Sequence, residues 1–129
     1  MSNRLQVIDS THGCPEIPIV EGDGNAKVVV WPGTGARYRT FQIVTLGIGS
    51  GTIPLSHAAD AAYYVMGGSG TIADLGTGST LDLAEGAMVH IDASDRYQFR
   101  AGEAGLRVLG GPCPADERLY AGLAPGGRE

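Results

Sequence analysis

Glycine and proline interrupt this chain at short intervals, and that punctuation decides its fold class. The 21 glycines and 7 prolines separate short runs rich in Val, Ile, Leu, Thr and Tyr, the pattern of many short strands joined by turns. No segment carries apolar residues at helical spacing over three turns, so an all-β chain is expected. Strands are predicted over 27–31, 38–48, 52–56, 63–66, 70–75, 80–83, 88–91, 97–100 and 106–109, with a short one over 5–8. Gly67-Gly68-Ser69-Gly70 and Gly76-Thr77-Gly78 read as hairpin turns. About ten strands at this rhythm make a sandwich or jelly roll.

At 129 residues the chain is expected to form one domain, burying about two-thirds of its unfolded surface without help from a metal or disulfide. Residues 1–25 read as an irregular arm, 26–111 as the barrel and 112–129 as a tail with one helical turn over 116–120. The net charge of -5 and the lack of a basic stripe argue against nucleic acid as a partner. No apolar run approaches the roughly 20 residues of a membrane span, and MSNRLQVIDS lacks the apolar core of a secretory signal, so no membrane partner and a cytoplasmic location are expected. Cys14 and Cys113 then read as free thiols, with a disulfide or a reactive Cys14 as the alternative.

Two stretches organise the rest: GSGTIPLSHAADAAYYVMGGSG from Gly49 to Gly70, and GAMVHIDASDRYQFRA from Gly86 to Ala101. They resemble the two motifs of the cupin family, small jelly-roll barrels, and the resemblance runs from about Phe41 to Leu109. In the first motif Gly49 stands at the opening glycine, Leu55 at the first histidine, His57 at the second and Ala61 at the glutamate. Taking His57 as the first histidine instead puts Ala59 at the second and Tyr63 or Tyr64 at the glutamate. In the second motif Gly86 stands at the opening glycine, Asp92 at the proline, Ser94 at the second glycine, Tyr97 at the histidine and Ala101 at the asparagine.

The resemblance implies a jelly-roll β-barrel, a homodimer and a pocket inside the barrel. Family members hold Mn, Fe, Ni or Zn on three imidazoles and a carboxylate, and His57 with Tyr97 alone would not hold such an ion. No metal and no cofactor are therefore expected. His57 reads as a general acid or base, or else as a remnant satisfied by a backbone carbonyl. Tyr97 reads as a pocket hydrogen-bonding group or as barrel filler. Asp60 could take the place of the missing glutamate, or be a solvated turn acid.

Tyr63 and Tyr64 must face opposite sides of a regular strand. His90 faces either the pocket or an outer sheet surface covered by a second subunit. Arg37 and Arg39 would give the pocket a cationic wall if their face is interior, and are surface charges otherwise. Tyr63, Tyr64, His90 and Arg39 are thus the expected substrate contacts, with His57, Tyr97 and Asp60 as the catalytic set. The expected function is a metal-independent small-molecule isomerase, epimerase, dehydratase or cyclase. The alternatives are a non-catalytic binding or interaction module, and a metal-dependent dioxygenase or isomerase using His57, His90 and Asp60 or Tyr97.

Overall fold

The computed structural model describes residues 5–36 and 38–123. The reading of Arg37 as a pocket cation and the last part of the tail, 124–129, lie outside the described residues. Eight strands form one antiparallel sheet: β1 (Val20–Glu21), β2 (Gly24–Val30), β3 (Phe41–Leu46), β4 (Gly51–Thr52), β5 (Ala61–Asp74), β6 (Thr80–Ala84), β7 (Met88–Ile91) and β8 (Tyr97–Pro112). The path β1-β4-β8-β3-β2 continues from β8 into β5, which carries β6 and β7 on its other edge. The sheet curls into a nearly closed barrel, the all-β jelly roll that the strand rhythm predicts.

Alternation explains which side chains fill it. Along β5, Ala61, Tyr63 and Val65 are buried while Ala62 and Tyr64 face outward, as the two-residue period of a strand requires. Phe99 on β8 stands at the centre, its ring edge-on to Tyr63 at 4.9 Å and to Tyr97 at 5.8 Å. Val28, Val44, Leu46, Leu106 and Val108 close the core around these rings. At one end a 3-10 turn (Glu117–Tyr120) lies over the barrel, with Tyr120 buried against Trp31 at 5.1 Å.

Three strand predictions need correction. Gly67-Gly68-Ser69-Gly70 is not a hairpin: the segments 63–66 and 70–75 belong to the single strand β5, and 97–100 and 106–109 to the single strand β8. Their ladder runs from Ala61↔Pro112 to Asp74↔Tyr97, with irregularities at Val65/Gly67 and Gly68/Gly70. The glycines allow β5 to bulge and pass from its β7 partner to its β6 partner without ending. Residues 5–8 form no strand, and Leu5 and Val7 are exposed because no neighbour pairs with them. The arm is less irregular than its Gly, Pro and Asp content suggests: Ile17 and Ile19 are buried and Val20–Glu21 pair with β4. The turn at Gly76-Thr77-Gly78 forms as read, closed by Asp74 N–H donating to Ser79 O at 2.8 Å. Cys14 and Cys113 are free, and no helix among the described residues is long and apolar enough to cross a membrane.

Gly68 has φ of +81°, and a Cβ there would run into the backbone oxygen of Gly105. Both the left-handed backbone and the close strand approach exclude a side chain. Gly68→Ala should lower stability by about 2 kcal/mol or more. An unchanged urea midpoint and slope would show that the bulge adapts freely.

Candidate active site

His57 is held between the two halves of the barrel end. Leu55, two residues earlier, exchanges both backbone hydrogen bonds with Tyr97 at the start of β8. The carbonyl of His57 accepts from Ser94 N–H at 2.7 Å. With its backbone pinned to the turn before β8, the imidazole points inward and is only 4% exposed.

A continuous chain of hydrogen bonds passes through that ring. His57 Nε2 lies 2.6 Å from the Tyr97 hydroxyl, which lies 2.8 Å from the Tyr63 hydroxyl. On the other side His57 Nδ1 lies 2.7 Å from Asp116 Oδ2. The Arg118 guanidinium grips Asp116 with Nε to Oδ1 at 3.0 Å and Nη2 to Oδ2 at 2.9 Å. Arg118 Nη2 also donates to Ser56 O at 2.6 Å, tying the tail to the His57 segment.

The proton positions follow from the partners. The Arg118 guanidinium, seconded by His57, holds the Asp116 carboxyl well below its ordinary value against the opposing effect of burial. An ionised carboxylate only accepts, so His57 Nδ1 carries a hydrogen. Burial, reinforced by the neighbouring Tyr63 and the Asp116 charge, pushes the Tyr97 phenol far above its ordinary value. Burial pushes Tyr63 up to about 12, so both phenols stay protonated. With a neutral imidazole Tyr63 donates to Tyr97, Tyr97 donates to Nε2, and Nδ1 donates to Asp116. Every hydrogen of this chain then has an acceptor; the reverse direction would leave the Tyr63 proton without one.

Two open clefts flank the Asp116–Arg118 pair, of about 360 and 670 Å³. Ser56, His57, Asp116 and Arg118 line both, so the guanidinium lies as a bar between them.

The structure brings His57, Tyr97 and Tyr63 together and leaves the other candidates outside. Asp60 does not stand in for a glutamate beside His57. Its Oδ1 caps Ala93 N–H at 2.9 Å and its Oδ2 lies 3.7 Å from His90 Nε2 on the outer surface. Tyr64 and His90 sit on the outward face of β5 and β7. Arg39 lines a shallow outer cleft of about 220 Å³ with Asp60, His90 and Cys113. None of these four faces the barrel interior, because each stands at a position of outward parity or on an exposed turn.

Asp116 and Arg118 are the members that sequence reasoning missed. The visible signal was an acid opening a helical turn, and Asp116 does cap that turn, accepting from Arg118 N at 3.1 Å. One oxygen caps while the other reaches His57, a second use that a local motif does not reveal.

The donor set does not fit a divalent ion. Of the family's ligand positions, Leu55 and Ala61 are apolar, Tyr97 holds its proton, and both His57 nitrogens are engaged. Nor can His57 and Tyr97 share an ion with His90 and Asp60, whose side chains lie on the outer surface at 64% and 61% exposure. Asp60, His90 and Asp92 place ligating atoms within 4.8 Å of one another, but all three are exposed surface groups.

No family model and no curated protein matches the sequence. Solved structures do. A protein from Thermotoga maritima described as a predicted oxalate decarboxylase superposes with a TM-score of 0.67 at 18% identity, over 81% of this chain and 96% of its own. The polyketide cyclase RemF from Streptomyces resistomycificus gives 0.68 at 18%, over 88% and 80%. An RmlC-like cupin from Shewanella frigidimarina gives 0.69 at 13%, over 91% and 96%. At these identities the likeness is one of fold.

Two measurements check the relay. Tyr97→Phe strands the Tyr63 hydroxyl proton and the His57 Nε2 lone pair, so it should cost about 1–3 kcal/mol despite removing a single atom. Urea denaturation reads this, and a change within error would mean that the hydroxyls are satisfied elsewhere. Asp116 titrates below its ordinary 3.8 when folded, so its contribution is fully present above that pH and is lost as pH falls towards the folded value. Asp116→Asn should lower stability at neutral pH and flatten its decline in acid; an unaltered acid slope would remove Asp116 from the titrating set.

Proposed function

From a chain with the cupin fold and one hydrogen-bonded acid–base chain inside its barrel, we propose a small-molecule enzyme in which His57 and Tyr97 move a proton. Asp116 is the group that orients the imidazole. The observation that carries this is the unbroken run from Tyr63 through Tyr97 and His57 to Asp116. It has the general arrangement of a base oriented by a third group and aimed at a weakly acidic hydroxyl. A neighbour of the same fold named as a polyketide cyclase supports an enzyme of this kind.

Within this reading the imidazole takes the Tyr97 proton and becomes an imidazolium beside the Asp116 carboxylate. The phenolate left behind is met by the Tyr63 O–H already 2.8 Å away. The imidazolium meets a carboxylate already in place, while the phenolate, in a buried site that disfavours its charge, is a strong base once formed. The phenolate then removes a proton from a carbon next to a carbonyl. Returning it to another carbon gives isomerisation, returning it to the other face gives epimerisation, and expelling a β-hydroxyl that takes the imidazolium proton and leaves as water gives dehydration. None of these steps transfers electrons to a second molecule.

The test is proton exchange with solvent. In D2O a panel of small ketones and 2-keto or 3-hydroxy acids should show deuterium entering the carbon next to the carbonyl. Tyr97→Phe and His57→Gln should each slow this by 100-fold or more, on the order of general acid–base contributions. Exchange at the wild-type rate in both variants would sink the proposal.

One observation favours a second reading. Tyr97 is 2% exposed and the barrel interior is filled, as in a non-catalytic module whose relay only fastens the tail. That reading predicts that the same variants lose stability while no panel compound is turned over by the wild type.

We also propose a homodimer. Met88, Tyr64 and Leu109 lie in one cross-strand row on the outer face of β7, β5 and β8, and Met88 and Tyr64 are exposed. A second copy covering this row would bury it. Tyr64→Asp should then sediment as a monomer at concentrations where the wild type is dimeric; a monomeric wild type would end the idea.

A further inference from the structure

The smaller cleft beside His57 has an uneven charge. Among its lining residues one carboxylate, Asp116, faces two guanidiniums, Arg96 and Arg118, which leaves one positive charge in excess. This stands out in a chain of net charge -5. Asp116 is already neutralised by Arg118 through two hydrogen bonds, so the excess charge within this cleft belongs to Arg96, whose side chain also borders a neighbouring cleft with Asp74 and Asp95.

The free donors can be counted. An arginine has five N–H groups. Arg118 directs Nε–H and both Nη2 hydrogens at Asp116 and Ser56 O, which leaves the two on Nη1. The Arg96 side chain has no partner among the described residues, while its backbone is anchored through Leu75 N–H donating to Arg96 O at 2.9 Å. The cleft therefore offers guanidinium donors from two elements, one before β8 and one on the tail. Apart from Ser56 and His57, its remaining wall is apolar, built chiefly by Ile19, Ile53, Pro54 and Leu119. A volume of about 360 Å³ is at the small end of ligand sites.

From this we propose that the cleft binds a small monocarboxylate with an apolar body, its carboxylate on Arg96 and Nη1 of Arg118 and its body against Ile53 and Leu119. A single excess cation matches a monoanion better than a dianion, and the apolar wall excludes a ligand that is all charge. The proposal deepens the acid–base reading by naming its substrate class, but binding at the cleft does not itself require turnover. The guanidiniums at this cleft are thus Arg96 and Arg118, whereas Arg39 lines the outer cleft with Asp60 and His90.

Benzoate is the probe, with benzamide and inorganic phosphate as controls, followed by backbone amide NMR of the full chain. Benzoate should give saturable shifts at Ile53, Leu55, Ser56 and Leu119, with benzamide and phosphate binding at least tenfold more weakly. Arg96→Ala and Arg96→Gln should each weaken benzoate about tenfold, the worth of one charge-assisted contact. Arg107→Ala, an exposed arginine of β8 away from the cleft, should change nothing. Equal binding of benzoate and benzamide, equal binding of phosphate, full affinity in both Arg96 variants, or no saturable shift at these amides would overturn the assignment. Tyr97→Phe separates the two proposals: it should bind benzoate normally while losing exchange activity. Lost benzoate binding alongside intact Tyr97-dependent exchange removes only the carboxylate assignment.

Discussion

The contact between Asp116 and His57 Nδ1 is the constraint on which the barrel end depends. It fixes which imidazole nitrogen carries the hydrogen, and through that choice it sets the direction of the two phenolic hydroxyls behind it. It also draws the tail across the opening, since Asp116 is held by Arg118 and Arg118 by Ser56 O. A buried hydrogen bond to an ionised carboxylate adds only modest net stability, but removing one partner leaves a buried polar group stranded. The arrangement therefore favours one geometry strongly over its neighbours without requiring a large overall stabilisation.

Much of the architecture was legible because it rests on local chemistry. Two-residue alternation set Tyr63 and Tyr64 on opposite faces, although only the folded barrel shows that Tyr63 is the inner one, and the Gly76-Thr77-Gly78 turn announced its own hairpin. The glycine run at 67–70 misled because glycine permits both a reversal and a bulge, and only the partner strand decides between them. Along 61–74 the neighbour is β8 throughout, a fact about residues some forty positions away. The jelly-roll class survived these errors because it needs only the number and rhythm of strands.

The site was half legible for the same reason. His57 and Tyr97 could be found from motif spacing, since both lie within the barrel pattern. Asp116 could not, because its part depends on where the tail crosses the mouth. Asp60 offered itself as a stand-in for the glutamate missing at the adjacent Ala61, yet its carboxylate is turned away to cap Ala93. Nearness in sequence is weak guidance wherever a loop reverses between two residues. The arginines tell the same story: Arg39 shares a strand region with core residues but faces out, while Arg96 and Arg118 meet at a cleft from opposite ends of β8.

β8 itself has a further consequence. It begins at Tyr97 and ends at Pro112, four residues before Asp116, and its 16 residues would span roughly 50 Å if straight. Yet Tyr97 and Asp116 are separated by the width of one imidazole. The strand must curl through the barrel wall by just the amount that returns its end to its beginning, so His57 acts as a gauge of its length. Adding or deleting one residue in β8 would reverse side-chain parity and open the gauge at once, whereas a similar change at the Gly76-Thr77-Gly78 turn would leave it closed. Among relatives of this chain, length variation should therefore gather in the hairpins and spare the strand that joins the two partners of the histidine.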